Sequence, residues 1–220
     1  MSLFAGVPGA LLDAWAVLMP TECVGCRLPD RALCAACRRG LLQQVHEATR
    51  GGVSVWCGLD YSGVARQVIS AYKDGGRTDA ARALAAPLRL AVAAALRAQP
   101  VAAAGIVHLV VIPSSRLAWR TRGFHPVERI LTRGGLSATP ALRTVGHVVD
   151  QVGLGRDART ENRRGSLQAR RPLREFSCIV VDDILTTGAT MLDARRAVEQ
   201  AGGTVVGMAA LAQRRLHHFS

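Results

Sequence analysis

Residues 178–191 read Cys178-Ile-Val-Val-Asp182-Asp183-Ile-Leu-Thr186-Thr187-Gly188-Ala189-Thr190-Met191, and the succession of residue types in this stretch decides the fold. The apolar run Cys178 to Val181 reads as a buried strand, with two adjacent carboxylates emerging at its carboxyl end. Small and hydroxylated residues follow at the mouth of a helix expected over Ala189 to Ala201. Gly202-Gly203 and a second strand, Thr204 to Leu211, complete a strand-helix-strand unit, which implies parallel strands in one sheet. Open α/β sheets take ligands at the carboxyl ends of their strands, so the acids and hydroxyls stand where a crevice is expected.

The chemistry of the stretch is that of a phosphorylated sugar site. Backbone N–H groups at a helix start, aided by the helix dipole, cradle an anion. Gly188 lets the backbone approach closely, and Thr186, Thr187 and Thr190 add hydroxyls around Ala189. Two carboxylates beside an anion cradle would repel the ligand unless they have other partners. Vicinal sugar hydroxyls, and a hydrated divalent cation held with them, supply such partners. The spacing is neither a phosphate-binding Gly-Lys-Ser/Thr loop nor a GxGxxG dinucleotide signature.

Upstream, Ile106 to Ile112 is a continuous apolar run typical of a strand buried on both faces, ending at Pro113-Ser114-Ser115-Arg116. A basic loop is expected from Arg116 to His125, then a helix from Pro126 to Thr132. Val53 to Tyr61 reads as a strand, and Gly63 to Tyr72 as a helix. Thr78 to Ala98 reads as a helix interrupted at Pro87. Ala141 to Val149 suggests another strand, whereas the arginine-rich stretch Gly155 to Arg171 resists assignment. Arg50-Gly51-Gly52 reads as a hinge.

Ahead of that hinge stand Cys23-Val-Gly-Cys26 and Cys34-Ala-Ala-Cys37, two CxxC pairs separated by seven residues. Each pair presents two thiolates from a tight turn, and together they complete a tetrahedral site. Structural zinc on Cys23, Cys26, Cys34 and Cys37 is the favoured reading, with disulfides and an iron-sulfur cluster as alternatives. Cys57 and Cys178 read as core thiols. The chain thus divides into a metal module, residues 1–50, and a main α/β domain, residues 51–220, with a mostly parallel sheet flanked by helices.

The first twenty residues are apolar but lack a basic leader and are broken by Pro8, Gly9 and Asp13, so they read as an amphipathic helix over Ala10 to Leu18. No apolar run is long enough to span a bilayer, and a cytoplasmic location is expected. The net charge of +12 points to an anionic partner without choosing among nucleic acid, nucleotide and phosphosugar. Of 28 basic residues only Lys73 is a lysine. It marks either a site that needs a compact ammonium, such as one facing a diphosphate, or a solvated helix end. Arg120, Arg122, Arg156, Arg159, Arg163 and Arg164 form either a path for a polyanion or a solvated basic face.

The 178–191 stretch resembles the phosphoribosyl diphosphate (PRPP) motif of type I phosphoribosyltransferases. The resemblance implies that Asp182 and Asp183 bind the ribose hydroxyls, that Thr186, Thr187, Gly188, Ala189 and Thr190 bind the 5-phosphate, and that Ser114, Ser115 and Arg116 face the diphosphate. The chain as a whole is similar to the ComF family, which joins an N-terminal CxxC zinc module to a phosphoribosyltransferase-like domain and is linked to DNA uptake during competence. Further matches are Tyr72-Lys73 with Arg77, Arg122-Gly123-Phe124, Gln151 with Leu154, and Arg159 with Asn162; His125-Pro126 stands where the family usually has Asn-Gln.

Two functions are carried forward from this. One is a Mg²⁺-dependent enzyme that moves a phosphoribosyl group from PRPP to an unidentified nitrogen acceptor. The other is an adaptor that handles single-stranded DNA with competence or DNA-processing proteins, its PRPP pocket being regulatory or vestigial. The sequence sets no oligomeric state.

Overall fold

The structure, a computed structural model, describes residues 22–29, 32–42, 44–99, 105–145 and 165–215. The helix expected at Ala10 to Leu18 lies outside them. So do Gln151, Leu154, Arg156, Arg159, Asn162, Arg163 and Arg164, and the end of the strand expected to reach Val149.

In chain order the elements are α1 (Ala35–Gly40), β1 (His46–Arg50), β2 (Val53–Asp60), α2 (Gly63–Asp74), a 3₁₀ turn (Thr78–Ala80), α3 (Ala81–Arg97), β3 (Val107–Val111), α4 (Arg116–Arg122), α5 (Pro126–Arg133), β4 (Leu142–Thr144), β5 (Leu167–Ala169), β6 (Ser177–Leu185), α6 (Ala189–Gln200) and β7 (Thr204–Gln213). The main sheet has the order β1-β2-β7-β6-β3. Its β2/β7, β7/β6 and β6/β3 pairs are parallel, and only β1 runs antiparallel to its neighbour. β4 and β5 form a separate antiparallel pair.

Side chains alternate across the sheet and are buried on both faces. Cys178 and Val180 of β6 pack with Met191, Ala194 and Val198 of α6, while Ile179 and Val181 pack with Leu84 and Leu88 of α3 and Ile130 of α5. This double burial explains why β6 reads as an unbroken apolar run. It also silences Cys57 and Cys178, whose thiols burial pushes up to about 12.

Four readings of the sequence are corrected. Arg50-Gly51-Gly52 is no hinge: Arg50 pairs with Val53, and Gly51 and Gly52, with φ of 57° and 79°, form a two-residue hairpin turn. Pro87 does not interrupt α3, which runs through it. A Cβ on Gly58 would lie 2.4 Å from the Pro87 carbonyl oxygen, so the helix backbone seats directly on β2. That packing outweighs the one backbone hydrogen bond the proline removes. The expected loop from Arg116 is instead helix α4, capped by Ser115 Oγ, which accepts from Ala118 N at 3.2 Å, and closed by Gly123 at φ 73°. Finally, β6 does not stop at the acids but continues beside β7 to Leu185.

This last difference makes the site. β3 accompanies β6 only from Ser177 to Val181, with one further bond from Ile112 N to Val181 O. Beyond Val181 the chain of β3 turns away through Pro113 to Ser115, and among the described residues β6 keeps a strand partner on its β7 side alone. The acids stand where the sheet splits.

Candidate functional site

A cleft of about 430 Å³ opens at that split. Its walls include Asp182 and Asp183 from β6, Thr186, Gly188 and Thr190 from the turn into α6, Ser114 and Ser115 from the turn after β3, and Lys73 from the last turn of α2. Eight of the residues singled out from the sequence therefore meet in one place. Thr187 and Ala189 are not among the lining residues. Thr187 Oγ1 instead accepts a 3.4 Å bond from Ala189 N at the helix start. The Arg116 side chain lies outside the described atoms.

The acid pair is held by its neighbours. Asp182 Oδ1 accepts from the Asp183 amide at 2.8 Å, and Asp183 Oδ2 pairs with Lys73 Nζ at 2.7 Å. Two carboxylates in sequence would repel each other, and an ammonium on one of them offsets part of that cost. Lys73 is placed by the residues on either side of it. Buried Tyr72 donates to Pro126 O at 2.8 Å, and Asp74 pairs with Arg122 at 3.0 Å. Three consecutive residues of α2 thus tie it to α5, β6 and α4. Burial raises the Tyr72 phenol well above its ordinary value, so it stays protonated and keeps the proton that it donates to Pro126 O.

In the same cleft Gly188 caps α6 with φ 82°, a left-handed conformation that favours glycine. The first turn of this helix faces the cleft through Gly188 and Thr190, with the positive end of its dipole toward an incoming anion. Sequence reasoning places Arg122 on a polyanion path or a solvated basic face, and His125 at the end of a basic loop; both line the cleft. It missed Tyr61, Thr144, Ser166 and Arg214. Tyr61 and Arg214 directly follow β2 and β7, so accurate strand ends would have found them. Thr144 and Ser166 arrive only through the β4–β5 pair.

Asp193 was also missed. Only 4% exposed, it accepts from Gly165 N at 2.7 Å, Leu167 N at 2.9 Å, Ser166 Oγ at 3.2 Å and Arg196 Nε at 2.8 Å. Burial alone would raise its pKa. The Arg196 guanidinium and the two amides outweigh that and hold it below the usual carboxylate value. Through these bonds α6 fixes the segment that brings Ser166 and Leu167 into the cleft wall.

The four N-terminal cysteines form a second site. All their Sγ atoms lie within 4.8 Å of one another, and Cys26 Sγ is 3.7 Å from Cys34 Sγ. Tetrahedral zinc with bonds of about 2.3 Å requires sulfurs about 3.8 Å apart, so the cluster fits that ion. Amides point at the sulfurs, Cys34 N at Cys23 Sγ (3.3 Å) and Cys37 N at Cys34 Sγ (3.4 Å). Burial opposes ionisation of Cys23, yet amides of Cys34, Cys26 and Gly25 hold its thiol down to about 6. No two of the six cysteines are joined by a disulfide in this structure. Gly25 is forced by the packing: a Cβ there would lie 2.6 Å from Cys37 Sγ.

The module sits on the main domain. Val64 of α2 packs on the cysteine cluster, and Arg77 donates to Glu22 O at 2.9 Å and Ala32 O at 3.4 Å while its other edge holds Asp79. Arg27, Arg38 and Arg39 are exposed around the cluster. Among the described residues no helix is long and apolar enough to cross a membrane.

The family model of the phosphoribosyl transferase domain matches residues 148–217, a span that includes β5, β6, the turn into α6, α6 itself and β7. Among solved structures, the chain is similar to an adenine phosphoribosyltransferase from Thermoanaerobacter pseudethanolicus, at 15% sequence identity and a TM-score of 0.34, over 80% of this chain and 87% of that one. No curated protein sequence matches the chain.

Proposed function

We propose that this chain binds PRPP with Mg²⁺ and transfers its phosphoribosyl group to a nitrogen nucleophile. The observation that carries the reading is the meeting, in one cleft, of the acid pair, the start of α6 and the Ser114-Ser115 turn. The domain match over residues 148–217 supports it, because it runs through the first two of these.

In this reading Asp182 and Asp183 accept hydrogen bonds from the ribose 2- and 3-hydroxyls and so orient C1. Amides and hydroxyls from Thr186 to Thr190 hold the 5-phosphate at the far end of the sugar. Ser114, Ser115 and Arg116 face the diphosphate, where negative charge grows as the C1–O bond breaks, and donors there lower the barrier. Lys73, paired with Asp183, adds an ammonium to the same cleft. The carboxylate pair suits Mg²⁺, which takes oxygen ligands and is commonly held by one or two carboxylates together with substrate phosphates. Such an ion neutralises diphosphate charge when bound.

The four-sulfur cluster is read as a structural zinc site that orders the module preceding the hairpin. Calorimetry of the full chain with PRPP and MgCl₂ tests the main reading. Binding that survives Asp182→Asn together with Asp183→Asn would reject it. Pyrophosphate release across a panel of nitrogen bases then identifies the acceptor.

A second reading, an adaptor for single-stranded DNA linked to competence, is favoured by one feature. Trp119 is 48% exposed on α4 beside Arg120 and Arg122, a pairing of aromatic and cation that suits stacked bases. A labelled oligonucleotide that fails to bind at low salt, or binds equally to Trp119→Ala, rejects it.

A further inference from the structure

The tip of the β1–β2 hairpin touches the loop that the reading above assigns to the 5-phosphate. Arg50 Nε donates to Thr186 O at 3.0 Å, and Arg50 Nη1 donates to Thr49 O at 2.8 Å, so the guanidinium is fixed on two sides. The stem of Arg50 covers the other end of the same turn: a Cβ on Gly188 would lie 2.7 Å from Arg50 Cβ. Next to it, a Cβ on Gly51 would lie 2.6 Å from Leu192 Cδ1, so the hairpin tip is pressed onto α6 as well.

The direction of the Thr186 carbonyl sets the direction of the next amide. Every described peptide bond is trans, and in a trans peptide the C=O of one residue and the N–H of the next point opposite ways. Arg50 holds the Thr186 carbonyl on the hairpin side, which turns the Thr187 N–H to the opposite side of the turn. Without that hold the peptide could rotate and present its oxygen to an incoming phosphate, replacing a donor with a repelling dipole.

We propose that Arg50 is a positioning residue for the anion cradle, acting through the Thr186–Thr187 peptide. This rests on reading residues 186–190 as the 5-phosphate loop. It assigns the hairpin a task beyond completing the sheet, since the strand nearest the cysteine module braces the loop 136 residues away.

The test uses the full chain and two probes, ribose 5-phosphate for the loop end and inorganic pyrophosphate for the Ser114-Ser115 end. Arg50→Ala is expected to weaken ribose 5-phosphate about tenfold, the size of one charge-assisted hydrogen bond, and to leave pyrophosphate within about twofold. Arg50→Lys, which can still donate to the carbonyl, is expected to recover part of the loss. Unchanged ribose 5-phosphate affinity in Arg50→Ala, or an equal fall for both probes, overturns the proposal. Amide NMR signals of Thr187 and Gly188 without ligand form an independent arm. If the wild type binds neither probe, the PRPP reading fails by itself. Displaced signals in Arg50→Ala would then still support the positioning role, and unmoved signals would overturn it.

Discussion

Lys73 Nζ lies 2.7 Å from Asp183 Oδ2, with both side chains about four-fifths buried at 18% and 19% exposure. The lone lysine of an arginine-rich chain is thus the counter-charge of the acid pair. An ammonium is compact enough to sit on one carboxylate oxygen, whereas a guanidinium is a wider, planar fork.

Lys73→Met is expected to leave Asp183 beside Asp182 without that charge. The cost is about 1–3 kcal/mol of stability, below the range for fully buried pairs because water still reaches this one. PRPP affinity should fall too. Urea unfolding and calorimetry on the same preparation read both effects, and a variant as stable as the wild type would show that the pair contributes little.

Asp193→Ala would strand the amides of Gly165 and Leu167 and the guanidinium of Arg196, an expected loss of about 2–4 kcal/mol. Its folded pKa is lowered, so its charge stabilises the fold fully above the unfolded value, about 3.9. That contribution is lost as pH falls through the folded value. The stability of the wild type should therefore fall below about pH 4 more steeply than that of Asp193→Asn, in which the group no longer titrates. Parallel pH profiles would contradict this.

Gly25→Ala brings a methyl group to 2.6 Å from Cys37 Sγ and should spoil the four-sulfur geometry. Metal analysis is expected to find about one zinc per wild-type chain and clearly less in the variant. Chelation should unravel the stretch from Cys23 to Cys37, whose few apolar residues cannot order it without the ion. Zinc retained in full by Gly25→Ala would refute the geometry.

Gly188→Ala places a side chain at φ 82° and against Arg50 Cβ. The left-handed conformation alone costs about 1–2 kcal/mol, and relief of the contact displaces the turn. Ribose 5-phosphate binding should drop more than pyrophosphate binding, and a thermal melt combined with both titrations would expose any other pattern.

Much of this was legible from local pattern. The apolar run before Asp182, the hydroxylated turn and the helix after it announced β6, α6 and β7, because burial on both faces and helix entry leave marks within a few residues. The paired CxxC turns announced the sulfur cluster for the same reason. Pro87 misleads because a neighbour far along the chain takes part: Gly58 on β2 makes room for α3 to run through it. Helix α4 differs, since its Ser115 cap and Gly123 end are local signals hidden in a basic stretch.

The partners themselves came only with the folded chain. No periodicity links Arg50 to Thr186, Lys73 to Asp183, Arg77 to Glu22 or Asp193 to Leu167. Residue types and their spacing settle which backbone conformations are cheap and which surfaces must be buried. They do not settle which distant polar groups face each other, since that depends on sheet order and on where β3 leaves β6, both outcomes of packing the whole core at once.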